Sequence, residues 1–230
     1  LCILWLWLKR RDILPEMQDV SLSSRYLLVG LSLLALSLFL PRSDDFLVFL
    51  MLLGWLGVFI VIFKKAGIVP SILLIIYGFS VGFPVVMGEW IGDASATSTT
   101  NVVTAIFNIV GFPITTEGTT LIFNSVNGDI ISTVITPACA GYTTIGVFVA
   151  LFALMMLDIR LPLKKVWFVF LFGIFGTWLQ NIVRIVITVV AGYYWGSEAL
   201  ESTHYNISYI IFPLWFGLFA YFYIKVVRRK

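Results

Sequence analysis

The chain has 230 residues, of which 60% are hydrophobic and 12% are charged, and its mean hydropathy is +1.02. A soluble domain cannot bury that much apolar surface, so the composition excludes a water-soluble enzyme and predicts a polytopic membrane protein. The formal net charge of +3 says little about partners because the charges are sorted along the chain, and we expect no nucleic-acid partner.

Six apolar stretches follow one another, and most approach the roughly 20 residues that a helix needs to cross a hydrocarbon core of ~30 Å. They run over Tyr26–Pro41, Phe46–Phe63, Ala66–Gly88, Ala138–Leu157, Val166–Ala191 and Tyr205–Ile224. Their lengths favour helices over strands. The apolar run Leu1–Leu8 has its positive charge after it, so it is not a signal peptide, and we expect it to be the cytoplasmic end of a seventh span.

Lysine and arginine predict the orientation of these spans. They cluster before the first span, after the second, between the fourth and fifth, and at the end of the chain. The positive-inside rule places all four groups in the cytoplasm, and six spans then alternate without conflict. Residues 1–230 are therefore predicted to form a single integral domain of the cytoplasmic membrane. Residues 89–137 form the one long polar segment, and we expect this loop to lie on the extracytoplasmic side, where it caps a site.

The outer loop contains two local patterns. Thr97–Gly111 begins with Ser and Thr residues that can cap a helix, and its apolar residues recur at helical spacing, which is typical of an amphipathic surface helix. A connector with some helical character fits that segment as well. Gly118–Ile135 carries Asn127-Gly128 between Val, Ile, Thr and Phe residues, which is a strong signal for a β-hairpin. Such a hairpin would roof the segment that follows it and offer an edge for pairing with an extended peptide.

The predicted fold class is therefore an all-α polytopic membrane protein. It is a helical bundle of six or seven transmembrane helices, with an outer amphipathic helix and a small β-hairpin.

Three polar residues reach the same predicted depth. Measured from the cytoplasmic end of its own span, Cys139 lies about 27 Å up, Arg184 about 27 Å up and His204 about 30 Å up. All three therefore lie near the outer boundary of a ~30 Å hydrocarbon core. A thiol, a guanidinium and an imidazole at one level predict a hydrolytic or acyl-transfer site that faces the extracytoplasmic side.

The surroundings of Cys139 favour a reactive thiol. Thr136 and Pro137 precede it, and these residue types are typical of a helix start, so the thiol is predicted in the first helical turn. There the helix dipole favours a thiolate, and free backbone N–H groups can hold an oxyanion. The alternative is a buried, inert cysteine. Cys2 is distant in sequence, so neither a structural disulfide nor a dithiol redox centre is predicted.

Arg184 lies inside an apolar span, where a charge is costly and usually functional. Its helical stripe also carries Thr177, Gln180, Asn181 and Thr188. No Asp or Glu lies inside any predicted span, so a Cys139 thiolate or an anion on the substrate is the available counter-charge. The alternative is an arginine that extends its side chain toward the outer headgroups.

His204 is the one histidine of the chain. A lone histidine at a helix start is often an interfacial polar residue, but beside a thiol and a guanidinium we expect a general acid or base. With one histidine and two cysteines, a metal site is not expected. No cofactor is expected either.

At these residues the chain resembles the exosortase/archaeosortase family of membrane transpeptidase-like enzymes, and within it the archaeal branch. Pro137-Ala138-Cys139-Ala140-Gly141 is similar to the family's nucleophile motif. Asn181-Ile182-Val183-Arg184-Ile185 is similar to its arginine motif, and His204 stands at the third position. The likeness covers residues 66–224. It departs at Ala140, where many members have Ser, and at His204, where some archaeal members have Arg.

The resemblance implies a substrate and a mechanism. The expected partners are membrane lipids and surface-protein precursors that end in a short motif, a transmembrane helix and a basic tail. Cys139 is expected to attack a backbone carbonyl and form a thioester, while Arg184 stabilises the thiolate and the oxyanion and His204 protonates the leaving amine. Water, a lipid or a glycan would resolve the thioester. The residues expected to support the site or bind substrate are Asn181, Tyr142, Thr143 and Gln180.

Two alternative functions stay open. A small multi-span transporter would also place Arg184 on a substrate pathway, although the chain shows no internal repeat and no matched pair of broken helices. A lipid-binding assembly factor would need no catalysis. Replacement of Cys139 by Ala separates these readings, because transport survives it, and an assembly factor also survives loss of Arg184.

Overall fold

The computed structural model of the protein describes residues 24–39, 47–63 and 68–228. Its helices are α1 (Ser24–Phe39), α2 (Leu47–Phe63), α3 (Ile68–Val110), α4 (Tyr142–Asp158), α5 (Leu163–Trp195), α6 (Ser197–Asn206) and α7 (Ser208–Arg228). Its strands are β1 (Ile114–Glu117), β2 (Thr120–Asn124) and β3 (Ile130–Val134), and a 3₁₀ turn over Pro137–Ala140 joins β3 to α4. The expected span end at Leu1–Leu8 lies outside the described residues.

The architecture is that of a helical membrane protein, as predicted. Three helical segments are long and apolar enough to cross a membrane, namely Val69–Val110, Leu163–Trp195 and Ser197–Arg228, the last of which combines α6 and α7. Shorter apolar helices cover Arg25–Phe39, Leu50–Ile62 and Tyr142–Asp158. Each of the six predicted apolar stretches therefore contains a helix.

The chain divides into two compact units, with the boundary between Val85 and Val86. In the first unit, α1 packs on α2 through glycines: a Cβ added to Gly57 would lie 2.8 Å from the carbonyl oxygen of Gly30. Close backbone contact at small residues is a common way for helices to associate in a membrane.

In the second unit, α4, α5 and α7 pack around an aromatic core. Phe148 and Phe219 are fully buried, and their rings meet edge to face with centroids 4.9 Å apart. A Cβ on Gly173 would overlap Phe148, and one on Gly176 would overlap Trp215. These glycines let aromatic rings lie directly on the α5 backbone, so the polar stripe of α5 lies inside the unit.

The predicted hairpin is confirmed, and it belongs to a three-stranded antiparallel sheet in the order β1-β2-β3. The N–H of Gly128 donates to the Ser125 carbonyl at 3.0 Å, and Gly128 has φ +90°. This is a three-residue turn that ends in a left-handed glycine, not the two-residue turn that Asn-Gly favours most. Strand β1 was not predicted, because it is only four residues long and mostly polar.

The inner face of the sheet covers a second hydrophobic core, which lies further along α5 than the aromatic core. This core contains Val103, Phe107, Ile114, Leu121, Phe123, Ile131, Ile135, Ile182, Ile185, Val189 and Leu200. The N–H of Val126 donates to the carbonyl of Tyr193 at 2.8 Å, which ties the β2–β3 loop to the far end of α5. Helix α5 therefore continues through the level of the sheet.

The predicted surface helix Thr97–Gly111 is not a separate element. It is the last part of α3, which runs on from the third span as one helix of 43 residues. Val103 and Phe107 are buried in the core under the sheet. Tertiary packing, rather than a membrane surface, takes up most of this apolar face, so the segment 89–137 starts as a helix and becomes loop and sheet only after Val110.

Candidate active site

Cys139 lies in the 3₁₀ turn that precedes α4, not in the first α-helical turn as predicted. Gly141 separates the two, because its φ of +96° reverses the chain between the turn and the helix. The N–H of Cys139 donates to the Thr136 carbonyl at 2.9 Å, which closes the turn. The thiol is free and half-buried, and it packs against the core under the sheet.

The hydroxyl of Thr136 is the polar group bonded to the sulfur. Its Oγ1 donates to Cys139 Sγ at 3.3 Å and makes no capping bond to the backbone of the turn. The Thr136 hydroxyl therefore contacts the sulfur directly instead of capping the turn.

Two glycines of α3 lie against the Cys139 turn and the first residue of α4. A Cβ on Gly92 would lie 3.0 Å from Cβ of Pro137, and one on Gly88 would lie 3.1 Å from the Tyr142 hydroxyl oxygen. The two glycines are four residues apart and face the same side of the helix. These glycines were not predicted as packing positions, although Gly-x-x-x-Gly in an apolar helix is a signal for close helix packing.

Asn181 holds the turn from the side of α5. Its side chain is fully buried, and Nδ2 donates to the carbonyl oxygen of Cys139 at 2.8 Å. A Cβ on Gly141 would lie 3.0 Å from the same Nδ2 atom. Both the left-handed backbone and the amide at this distance therefore require glycine at position 141. The sequence placed Asn181 near the site, and only the structure shows which atom it binds.

Arg184 lies one turn further along α5 and is half-buried. The Arg184 side chain lies close enough to interact electrostatically with Cys139 and with His204, so it is the common neighbour of the other two predicted site residues. The guanidinium carbon lies 5.8 Å from the ring centroid of Phe212 on α7, within the range of a cation–π contact. Its Nε is buried without a hydrogen-bond partner in the described part of the chain.

His204 lies near the end of α6, not at the start of a helix as predicted. The short helix α6 begins after Gly196 and ends at Asn206, so His204 lies in its last turn, and α7 starts only at Ser208. The imidazole is half-buried, and its ring meets Tyr205 edge to face at 5.7 Å between centroids. The sixth apolar stretch was predicted to begin at Tyr205, so the sequence did not predict α6, whose residues are mostly polar.

The remaining predicted residues divide between buried and exposed positions. Gln180 is 7% exposed, and neither polar atom of its amide has a partner among the described residues. Tyr142 is also 7% exposed and interacts electrostatically with Cys139. Thr143 is exposed, whereas the next residue, Thr144, is buried.

The described residues contain no group of three or more His, Cys, Asp or Glu side chains that could hold a metal ion. The chemistry available comes from a thiol bonded to a hydroxyl, a guanidinium that interacts with the thiol, and an imidazole that interacts with the guanidinium. A thiolate is a strong nucleophile, and a guanidinium can stabilise the oxyanion that forms when a carbonyl is attacked. The arrangement is therefore suited to acyl transfer.

Comparison with known proteins identifies the family of the chain. The model of the transmembrane exosortase family matches residues 1–221, a range that includes all the predicted site residues. No curated protein and no solved structure matches the chain. Exosortases are membrane sorting enzymes of the transpeptidase type, and their substrates are surface proteins with sorting signals. The match identifies the family and not its archaeal branch. Because it extends over almost the whole chain, the protein belongs to the transmembrane exosortase family.

Proposed function

We propose that this protein is a cysteine transpeptidase or protease that cleaves the C-terminal sorting signal of surface-protein precursors. The cleavage takes place at the extracytoplasmic boundary of the cytoplasmic membrane and passes through a thioester on Cys139. One observation carries the proposal: the half-buried Cys139 thiol has a hydroxyl at 3.3 Å, and the Arg184 side chain lies close enough to interact with it electrostatically. Helix α5 contains no acidic residue, so a thiolate on Cys139 would be a counter-charge for that arginine.

The first step is attack of the Cys139 thiolate on a backbone carbonyl of the substrate, which forms a C–S bond and a tetrahedral oxyanion. Arg184 stabilises the negative charge before attack on the sulfur and after attack on the oxygen. The first turn of α4 supports it, because no side chain caps the N–H groups that follow Gly141. Collapse of the intermediate breaks the peptide C–N bond, and the leaving amine takes a proton from His204.

The second step releases the acyl group. A hydroxyl or amine of a lipid or glycan, or water, attacks the thioester carbonyl, transfers its proton to His204 and regenerates the thiolate. Hydrolysis yields a free carboxylate, whereas transfer leaves the substrate attached to the acceptor. The same residues serve both outcomes, so the acceptor alone distinguishes a protease from a transpeptidase.

The location of the site fits a substrate that leaves the membrane. Cys139 lies between the aromatic core of the helical bundle and the core under the sheet, where α4 begins. A polypeptide that emerges from its own transmembrane helix has backbone carbonyls without intrahelical partners at such a boundary. Those carbonyls are accessible to a nucleophile, unlike the hydrogen-bonded carbonyls inside a helix.

Replacement of the nucleophile tests the proposal. Cys139→Ala should leave the protein folded in the membrane and cause the full-length precursor of a processed surface protein to accumulate. Cys139→Ser should be nearly inactive as well, because a hydroxyl without a strong base is a poor nucleophile. Cys2→Ser is the matched control, since it removes the other thiol of the chain, and it should process normally.

Mass spectrometry of the processed product gives its new C-terminus and shows whether it carries an acceptor. Unimpaired processing by the Cys139→Ala protein would rule out the thioester.

A further inference from the structure

Strand β3 forms an open edge of the sheet. The N–H of Ile135 donates to the carbonyl of Thr119 on the β2 side at 2.9 Å. Backbone groups in an antiparallel pair alternate between facing the partner strand and facing away, so Ile131 and Thr133 also face β2. The residues whose N–H and C=O groups face the open edge are Ile130, Ser132 and Val134. No backbone group in the described part of the chain bonds to them.

This edge lacks the features that usually protect one. Ile130 is 76% exposed and Val134 is 54% exposed, and β3 contains neither a charge nor a proline. Exposed apolar edge strands of this kind readily pair with another chain. The opposite edge, formed by β1, is different, because Pro113 precedes it and Glu117 ends it. Of the two edges, that of β3 is the one suited to take up a further strand.

The position of β3 relates it to the nucleophile. Val134 is five residues from Cys139, which spans at most about 17 Å of chain. At its other end, β3 follows the loop that binds the carbonyl of Tyr193 through Val126. Tyr193 lies nine residues beyond Arg184 on α5, or about 13 Å further along the helix. The strand thus runs from the far end of α5 toward the turn that holds the thiol.

We propose that the open edge of β3 binds the segment of the substrate just before the cleavage site, as an added fourth strand. This inference rests on the proposed function. The substrate approaches Cys139 from the side of the sheet and then enters its transmembrane helix, so its chain runs in the same direction as β3. The pairing is therefore parallel, with main-chain bonds to Ser132 and its alternate neighbours.

Edge pairing explains how one site can process many precursors. Main-chain hydrogen bonds recognise an extended backbone whatever its side chains, and they fix the register of the carbonyl that reaches Cys139. Ile130 and Val134 expose apolar side chains on the outer face of the sheet, so alternate substrate side chains on that face contact apolar surface. Edge pairing then recognises the extended backbone of the substrate, and the sorting signal supplies the remaining specificity.

The experiment measures how fast peptide reagents alkylate Cys139 in the purified full-length protein. The probe is a pool of acetylated pentapeptide chloromethyl ketones of mixed sequence, from which the thiolate displaces chloride to form a thioether. A second pool has the same sequences with N-methylated backbones, which cannot donate to an edge. Iodoacetamide is the reference reagent, because it reports the reactivity of the thiol without any strand pairing.

Two proline variants form a matched pair. Ser132→Pro removes an N–H that faces the open edge of β3, where proline is tolerated because that group has no bond to β2. Thr116→Pro does the same at the open edge of β1. The register pairs Glu117 with Thr120, and the alternation then turns the Thr116 backbone away from β2. Both residues are exposed and carry a hydroxyl, so the two variants differ mainly in the edge they block.

In wild type and Thr116→Pro, the normal pool should alkylate Cys139 about tenfold faster than the N-methylated pool, as expected for the loss of one to two hydrogen bonds. In Ser132→Pro the two pools should react at nearly the same rate. The iodoacetamide rate should be equal in all three proteins. Equal rates for the two pools in wild type would overturn the inference, and so would an unchanged preference in Ser132→Pro.

The controls keep the two proposals separate. If Ser132→Pro also lowers the iodoacetamide rate, the variant has disturbed the thiol itself. The edge inference then stands if the normal pool reacts faster than the N-methylated pool in wild type, and fails if the two rates are equal. If processing requires Cys139 but the pools do not differ, only the edge inference fails. If Cys139→Ala still processes precursors, the proposed function fails whatever the pools show.

Discussion

Replacement of Asn181 by Leu should separate catalytic activity from stability. The amide is fully buried, and its one hydrogen bond runs from Nδ2 to the carbonyl oxygen of Cys139 at 2.8 Å. Its Oδ1 atom is buried without a partner among the described residues. Leucine has a similar size and fills the same space, but it neither donates to the Cys139 turn nor presents an unpaired acceptor.

The free energy of unfolding contains two opposing changes in this variant. Loss of the donor leaves the Cys139 carbonyl unpaired, which costs about 1–3 kcal/mol, while removal of the unpaired Oδ1 relieves a desolvation penalty of about the same size. The two changes nearly cancel, so the free energy of unfolding should change by no more than about 1 kcal/mol in either direction. Activity has no such compensation, because a displacement of the reacting atom by about 1 Å can lower the rate roughly a hundredfold.

The assay compares processing, thermal unfolding in detergent and the iodoacetamide rate of Cys139 for three proteins. Thr188→Val is the matched control. It removes a buried hydroxyl of the same helix, and that hydroxyl donates to a backbone carbonyl within α5, that of Arg184. We expect a ten- to hundredfold loss of processing in Asn181→Leu and little loss in Thr188→Val, with similar unfolding temperatures. Equal processing by Asn181→Leu and wild type would refute the idea that this bond positions the thiol.

Three further predictions follow from the site and the topology. Arg184→Ala should abolish processing, and Arg184→Lys should recover little of it, because a point charge cannot reproduce the planar guanidinium fork on an oxyanion; processing by the Ala variant at the wild-type rate would mean that the arginine does not serve the reaction. Gly141→Ala should destabilise the protein and abolish processing. A left-handed alanine costs about 1–2 kcal/mol, and its Cβ would lie 3.0 Å from a buried amide nitrogen. Gly118→Ala is the control, because Gly118 also has a positive φ, +63°, but nothing lies within 4 Å of an added Cβ, so this variant should keep activity. A membrane-impermeant thiol label added to sealed cells should reach a cysteine at Asn127 and not one at Lys164, and the reverse pattern would invert the predicted orientation.

The sequence by itself determined the class of the protein and the set of residues to consider. Hydropathy over stretches of about 20 residues is a local property, and it identified the apolar helices because the hydrocarbon core requires every backbone group to be bonded within its own segment. The hairpin around Asn127-Gly128 is equally local, since the turn chemistry lies in the chain itself. Arg184 and Asn181 could be proposed from helical periodicity, because a polar stripe in an apolar helix is visible without any tertiary contact.

Only the tertiary structure decided how the candidate site is built. The Cys139 turn depends on groups distant in sequence: the α3 glycines on one side, Asn181 on the other, and Phe212 beside the guanidinium. Whether Thr136 would cap the backbone or bond to the sulfur was undecided in the sequence, because both partners lie within three residues and packing selects between them. The sequence did not predict α6, the separate helix that contains His204, for a similar reason. The chain changes direction at Gly196, and Leu200 then packs against Gly192 of α5. Hydropathy does not report a contact of this kind. Local pattern specifies which segments are helices and which side chains are polar, whereas the packing of one segment on another specifies which atoms meet.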